Sequence, residues 1–475
     1  MRSVSLRQVA RATGGALEGP GGLTVGSVGT DTRDLPGKDL FVALKGQRFD
    51  GHAFLEQAAR EGAKAALVQR RNPHLEPFVK AFPAFPVVIV RDTLKAMGDL
   101  AAFIRESLEV QAVGITGTTG KTCTKDYLVS ALATEFSVAS SPGSYNNEIG
   151  IPLTIFGARK KDRALVAEMG ARHQGDIERL AEIVKPRFGI ITNVGPGHLE
   201  LFKTEDVVAK TKGELARAIP GDGAIVLNAD DPWTRWMLRR AKTRVVRFGR
   251  GRAADYRATG VSLDSHGKPA FDLHGPGFDL RVSLPGVGRQ QVPNALAAAA
   301  CAHAMDLDPT HIARGLEGAR LNPWRMEVIE VNGYTIINDA YNANPCSMDA
   351  ALETLKELGA RRRTIAVLGG MAELGKESRR YHEEAGSRAA DLDIDLLVTV
   401  GRRARYFATA ALAGGVPRGS VFRCEYPDEA AWLLGEIVEA GDVILVKGSR
   451  VAGLDSVAAK LREPGFRREK LVANV

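Results

Sequence analysis

The sequence predicts an α/β protein of three domains, on three observations. Its 475 residues exceed what one hydrophobic core organises, since cores stop growing near 250–300 residues and domains cluster around about 150. Short apolar runs alternate with helix-period stretches along most of the chain, the pattern of parallel sheets covered by helices. One of those runs, Val113 to Ile115, leads straight into a glycine-rich turn that closes on Lys121 and Thr122.

The elements follow in order. Residues 1–108 carry the runs Asp39–Leu44, Ala65–Val68 and Phe85–Val90, which predict a small α/β unit. Residues 109–320 carry Ala164–Glu168, Phe188–Asn193 and Ala224–Asn228, strands with polar residues at their carboxyl ends, where the chemistry of an α/β nucleotide-binding domain sits. Between 255 and 284, Gly, Pro and Asp separate short alternating runs, which predicts a β meander. Residues 321–475 repeat a strand and a helix four times, with strands at Thr335–Asp339, Thr364–Gly369, Asp395–Gly401 and Val443–Ser449, and read as a Rossmann-like sheet. No low-complexity linker separates the three, so short hinges are expected.

Composition narrows the function classes. With 44% hydrophobic and 25% charged residues the chain reads as an ordinary globular protein. Its net charge of +8 is spread along the sequence, with Arg361-Arg362-Arg363 the one tight triplet, so anionic phosphate-bearing substrates are expected rather than a nucleic acid. The first eight residues lack the apolar core of a signal peptide, and no later run is long enough to span a bilayer, so a cytoplasmic protein is expected. Cys123, Cys301, Cys346 and Cys424 stand far apart with no metal spacing, which fits reduced thiols; Cys123, next to the glycine turn, reads as a packing residue.

The turn carries the chemistry. Glycines let backbone N–H groups approach phosphate oxygens, a lysine neutralises their charge, and a hydroxyl reaches a Mg²⁺. Gly117, Gly120, Lys121 and Thr122 match those roles, with Thr118 and Thr119 between them, and a helix is expected over Asp126–Phe136. The usual pattern has a glycine where Ile115 stands, so this is a variant cradle. It points to ATP without naming the reaction.

The stretch Gly114–Thr122 resembles the phosphate loop of the Mur ligase family, the ATP-dependent amide-bond-forming enzymes of peptidoglycan precursor synthesis. Four further segments are similar to one member, the ligase that adds a dipeptide: Ser144–Thr154, Thr192–Glu200, Asn338–Pro345 and Val446–Arg450. Thr30–Arg33 and Lys45–His52 are similar to that member's uridine-nucleotide domain. A sibling that adds the third amino acid carries Tyr-Ala-His where this chain has Tyr341-Asn342-Ala343, and an Asp-Asn-Pro-Arg run that is missing here.

The resemblance implies an activity and a set of roles. ATP would phosphorylate the terminal carboxylate of a UDP-N-acetylmuramoyl-tripeptide, and the amine of D-alanyl-D-alanine would attack the acyl phosphate. A carboxylate and a γ-phosphate repel each other, so cations are needed where they meet. Lys121 and Mg²⁺ would supply them, with Thr122, Glu168 and His198 as metal ligands and Lys212 as a further one once carbamylated by CO₂. Asn294, Arg325 and Asp339 match ATP-contacting positions. Thr32, Arg33, Asn146 and Asn147 match substrate positions, as do Tyr341, Asn342, Asn344, Lys447, Ser449 and Arg450. For Tyr341, Asn342 and Asn344, turn chemistry is the plainer alternative. Gln290, Gly370 and Val451 depart from the family's usual histidine, acidic residue and glycine. A monomer with no nucleic-acid partner and no membrane span is implied. On the residues alone, a ligase with another acceptor and a non-catalytic ATP-binding scaffold stay open.

Overall fold

The structure, a computed structural model, describes residues 3–35, 37, 39–46 and 48–466. Gln47, part of the segment compared with the uridine-nucleotide domain, lies outside them. Three large sheets organise the chain, and their inner strands are apolar runs buried on both faces, as a parallel sheet between helix layers requires.

The first domain runs β1 (Val4–Ser5), α1 (Leu6–Thr13), β2 (Ala16–Glu18), β3 (Thr24–Val25), β4 (Val28–Gly29), β5 (Leu40–Val42), α2 (Leu55–Arg60), β6 (Ala65–Gln69), α3 (Leu75–Ala81), β7 (Val87–Val90) and α4 (Thr93–Glu106). Its sheet has the order β2-β7-β6-β5-β4, with only β2 antiparallel. Asp92 caps α4 by accepting from the Leu94 and Lys95 N–H groups, and α4 packs on two helices of the next domain.

The second domain runs β8 (Gln111–Thr116), α5 (Lys121–Leu132), β9 (Val138–Ser140), α6 (Gly150–Gly157), β10 (Ala164–Glu168), α7 (Asp176–Val184), β11 (Phe188–Ile191), α8 (Leu199–Phe202), α9 (Glu205–Ala218), β12 (Ala224–Asn228), α10 (Thr234–Leu238), β13 (Arg244–Gly249), β14 (Tyr256–Leu263), β15 (Pro269–Gly275), β16 (Phe278–Ser283), α11 (Gln291–Ala304) and α12 (Pro309–Glu317). The order is β16-β15-β14-β13-β12-β11-β8-β10-β9, parallel from β9 to β14 and closed by the expected meander β14-β15-β16. Helix α5 begins at Lys121, five residues before the periodic stretch. Its polar first turn hides the start, which Gly120 sets with φ +78°.

The third domain runs β17 (Glu327–Val331), β18 (Tyr334–Asp339), α13 (Pro345–Leu358), β19 (Thr364–Gly369), α14 (Ser378–Asp391), β20 (Leu396–Val400), α15 (Arg405–Ala413), β21 (Val421–Cys424), α16 (Pro427–Ile437), β22 (Val443–Lys447) and α17 (Asp455–Leu461). The four expected strands form the middle of a six-stranded sheet, β17-β18-β22-β19-β20-β21. The two extra strands are its half-buried edges, whose mixed residues lack the continuous apolar run of a buried strand.

Candidate active site

The carboxyl ends of β8, β10 and β11 converge on the glycine turn. Gly117 has φ +146°, and a Cβ there would lie 2.0 Å from Thr192 Oγ1; at Gly120 it would lie 2.2 Å from Asn294 Oδ1. Only glycine lets β11's end and the first turn of α11 close on the loop this tightly. The Thr119 N–H donates to Asn193 Oδ1 (3.0 Å), and the Thr118 hydroxyl accepts from Gly195 N–H (3.0 Å). Lys121 Nζ donates to the carbonyls of Gly117 (2.8 Å) and Thr118 (3.2 Å), and burial lowers its pKa against the opposing charge of Glu168. Cys123 is buried, its thiol pushed up to about 11 by burial, in keeping with a packing role.

Glu168, the last residue of β10, is 1% exposed. Its Oε2 accepts from Thr122 Oγ1 (2.8 Å) and its Oε1 from Asn146 Nδ2 (2.9 Å). A carboxylate and a hydroxyl side by side at a phosphate loop are hard oxygen donors of the kind Mg²⁺ takes. Among the described residues no three His, Cys, Asp or Glu side chains form a metal cage of their own. The donor set therefore fits a Mg²⁺ that completes its shell with phosphate oxygens and water.

His198 holds φ +55° before α8, and its Nδ1 pairs with a Glu373 carboxylate oxygen from the third domain. Glu373 also pairs with Arg172 (3.2 Å), and its carbonyl accepts from Glu200 N–H (2.9 Å). Burial lowers the pKa of His198 against the pull of Glu373, and the ammonium groups of Lys121 and Lys212 lower it further. Lys212 is buried on α9, its Nζ 5.9 Å from the centre of the Phe202 ring. Burial first, and then the charge of Lys121, bring its pKa down to about 7. Lys121 thus lies within range of the charges of Glu168, His198 and Lys212, and Lys212 within range of His198.

The third domain adds a second wall. Tyr341 stacks under the guanidinium of Arg325 (4.2 Å) with that of Arg450 farther out (5.7 Å), and its hydroxyl bonds to the Ser144 hydroxyl of the second domain. Thr122, Ser144, Trp324, Arg325 and Tyr341 line a cavity of about 190 Å³. A second cavity of about 460 Å³ adjoins it, sharing Gly143 and Asn322 and lined also by Lys125, Asp126 and Arg320. That size is typical of small-ligand sites. Asp126 accepts from the N–H and the side-chain amide of Asn322 (3.0 and 2.8 Å). Asp339 accepts from the Met326 N–H (3.2 Å) and from Lys447 Nζ (2.5 Å). Lys447 is 1% exposed and also donates to the Asn342 carbonyl (3.0 Å), so here it joins strand ends rather than facing a cleft. Ser449 Oγ donates to the Gly370 carbonyl (2.6 Å), and Asn342 is exposed.

Other expected residues serve local structure. Asn344 caps α13 by accepting from Ser347 N–H (2.9 Å), and Asn147 accepts from the Ile149 and Gly150 N–H groups at the start of α6. Thr32 reaches Gln57 (3.3 Å), and Arg33 pairs with Asp31 (2.6 Å), all within the first domain. Gln290 accepts from Thr354 on α13 (3.3 Å), a contact between the second and third domains, while Val451 is 86% exposed. Asn322 and Glu373 complete the site without having been singled out, and Ser144 and Asn193 lay in quoted segments with no role given to them; no local pattern names a partner so far along the chain.

The description "Mur ligase family, catalytic domain" matches residues 24–105, "Mur ligase middle domain" 115–302 and "Mur ligase, glutamate ligase domain" 324–450. The chain is 38% identical to a UDP-N-acetylmuramoyl-tripeptide–D-alanyl-D-alanine ligase of Mycobacterium tuberculosis, over 97% of this chain and 98% of that one. A crystal structure of MurF from Acinetobacter baumannii superposes with a TM-score of 0.87 at 32% identity, covering 98% and 100% of the two chains. MurF ligase from Thermotoga maritima in complex with ADP gives 0.78 at 28% identity, covering 91% and 96%. The chain belongs to the Mur ligase family, and it is an ATP-dependent ligase.

Proposed function

We propose that the chain joins D-alanyl-D-alanine to UDP-N-acetylmuramoyl-tripeptide, giving the pentapeptide peptidoglycan precursor, ADP and phosphate. One observation carries this reading: the end-to-end likeness, at 38% identity, to a ligase of that name. In the proposed sequence the tripeptide carboxylate attacks the γ-phosphorus of ATP and ADP leaves. The dipeptide amine then attacks the acyl carbon, and phosphate leaves with the amide formed. Gly117 to Thr122 would cradle the phosphates, with Asn294, Arg325 and Asp339 beside the nucleotide. Lys121 would offset the repulsion between carboxylate and phosphate. Thr122, Glu168, His198 and a carbamylated Lys212 would hold Mg²⁺, which when bound supplies charge neutralisation and orientation of the phosphates. Tyr341 and Arg450 would face the acceptor, Asn146 would orient Glu168, and Thr32 and Arg33 would meet the uridine nucleotide.

Domain limits of 1–108, 109–320 and 321–475, a monomeric state and a cytoplasmic setting belong to the same proposal. Among the described residues no helix is long and apolar enough to cross a membrane. The test is phosphate release with ATP, Mg²⁺ and the UDP-tripeptide, with and without D-alanyl-D-alanine, and a mass measurement of the product. Release that needs both partners and yields the pentapeptide supports the reading, and Lys121→Ala should abolish it. Turnover only with another amine points to a different acceptor. ATP binding without turnover points to a scaffold.

A further inference from the structure

The basic residues that look scattered along the sequence are gathered by the fold. Parallel strands all begin on one rim of the second-domain sheet, and the phosphate loop lies at the opposite rim. Residues 239–244, 217–222, 185–187 and 159–163 lead into β13, β12, β11 and β10, the second range from the last residues of α9 and the first reaching the start of β13. They hold eleven basic side chains and two acidic ones, Asp162 and Asp222. The α4–β8 connection between them adds Glu106 and Glu109. All eleven basic residues are exposed. The helices before these segments pack in one layer, α6 with α7, α7 with α9, and Trp236 of α10 against Gly213 of α9. The acidic residues Glu135, Asp306 and Asp308 follow α5 and α11, which pack together in the other layer.

Few of these charges are cancelled. Arg159 pairs with Asp162 (3.4 Å), Arg187 with Asp222 (3.4 Å) and Lys185 with Glu106. Among the described residues the other eight, Lys160, Lys161, Arg239, Arg240 and Lys242 among them, make no ion pair with an acidic side chain. Arg240 stacks on the Trp236 ring at 3.9 Å, and Leu238 beside it is 38% exposed. At about 4.8 Å per strand the five strands give a basic edge about 20 Å wide, with an apolar contact at one end.

We infer that this rim seats the protein on an anionic lipid bilayer. A broad strip of uncancelled Lys and Arg fits a negative headgroup layer, and a Trp, Leu and Arg group is the kind that settles at a membrane interface. The phosphate loop then faces away from the lipid, so the clefts stay open to substrate. This inference is independent of which amine the enzyme takes.

The test is sedimentation of the full chain with phosphatidylcholine vesicles, with and without phosphatidylglycerol. Binding is expected only with the anionic lipid, and added salt should weaken it. Each basic residue near such a surface is worth about fivefold in affinity. The variants Lys160→Ala with Lys161→Ala, and Arg239→Ala with Arg240→Ala and Lys242→Ala, should each weaken binding on the order of tenfold or more while turnover in solution is unchanged. Equal binding to both vesicles, none to either, or unchanged binding by the variants overturns the inference. So does capture of a DNA duplex in place of vesicles.

Discussion

His198 and Glu373 meet across the boundary between the second and third domains: the imidazole Nδ1 and the carboxylate are paired, and the same carboxylate takes Arg172 from the second domain. The contact fixes the ring so that Nε2 is the nitrogen left for other partners, and it does so only while the third domain is docked.

Removing that hold should therefore cost activity without touching the phosphate loop. Losing a group that orients a ligand imidazole typically costs about 10–100-fold. Glu373→Ala is expected to lower kcat in that range with little change in the KM for ATP, and Glu373→Gln, which keeps an acceptor, to lose less. Phosphate release at saturating substrates measures both. Parallel loss of kcat in the two variants would count against a positioning role.

The glycine turn has no room for a side chain. Gly120→Ala meets Asn294 Oδ1 at 2.2 Å and holds a left-handed φ that costs an L-residue about 1–2 kcal/mol. ADP binding by calorimetry should fall by at least about tenfold, the equivalent of that strain, while circular dichroism is unchanged. Full ADP affinity would mean that the loop relaxes more easily than its contacts indicate.

Lys212, with a pKa of about 7, carries a neutral amine in much of its population at neutral pH, and that fraction grows as pH rises through 7. It is expected to add CO₂, so ¹³C-bicarbonate should give a carbamate carbon resonance that Lys212→Ala lacks. The signal should strengthen between pH 6.5 and 8. Identical spectra for the two proteins would exclude the carbamate.

Acid should loosen the first domain through His52. The ring is buried, its Nδ1 bonds to Asp50 (2.6 Å) and its Nε2 accepts from the Gln69 N–H (2.8 Å); burial holds its pKa below 6.5. The unfolded chain thus takes up this proton at a higher pH than the folded one, and stability falls as pH drops below about 6.5. Asp50, held at about 2 by bonds from Asn72 and His52 that outweigh burial, withdraws its contribution later, as pH falls from 3.8 toward 2. Amide exchange across residues 65–72, corrected for intrinsic rates, should quicken between pH 6.5 and 5. A flat profile would show that His52 takes up its proton as readily in the folded chain as in the unfolded one.

What could be read from the sequence was local. The cradle, the strands Ala164–Glu168 and Ala224–Asn228, and the meander each declare themselves within a few residues, because turn chemistry and periodicity act at that range. The partners of the site residues do not. Ser144 and Tyr341 stand 197 residues apart, and His198 and Glu373 stand 175 apart, so nothing near either residue announces the other. Lys447 shows the same limit: its motif suggested a group reaching for substrate, and only the register of β22 beside β18 puts it against Asp339. The basic rim escaped for a topological reason, since segments tens of residues apart become neighbours only once strand order is known.

The Asp126–Asn322 and Asp339–Met326 contacts pin the crossing between two domains at both ends. Three residues, Pro323, Trp324 and Arg325, lie between the pins, and the proline ring fixes its own φ. Any swing of the third domain is thereby confined to the few torsions from the ψ of Pro323 to Arg325. Trp324 already sits at φ +62°. The pivot and the guanidinium stacked on Tyr341 belong to the same short segment, so turning the domain also re-aims Arg325.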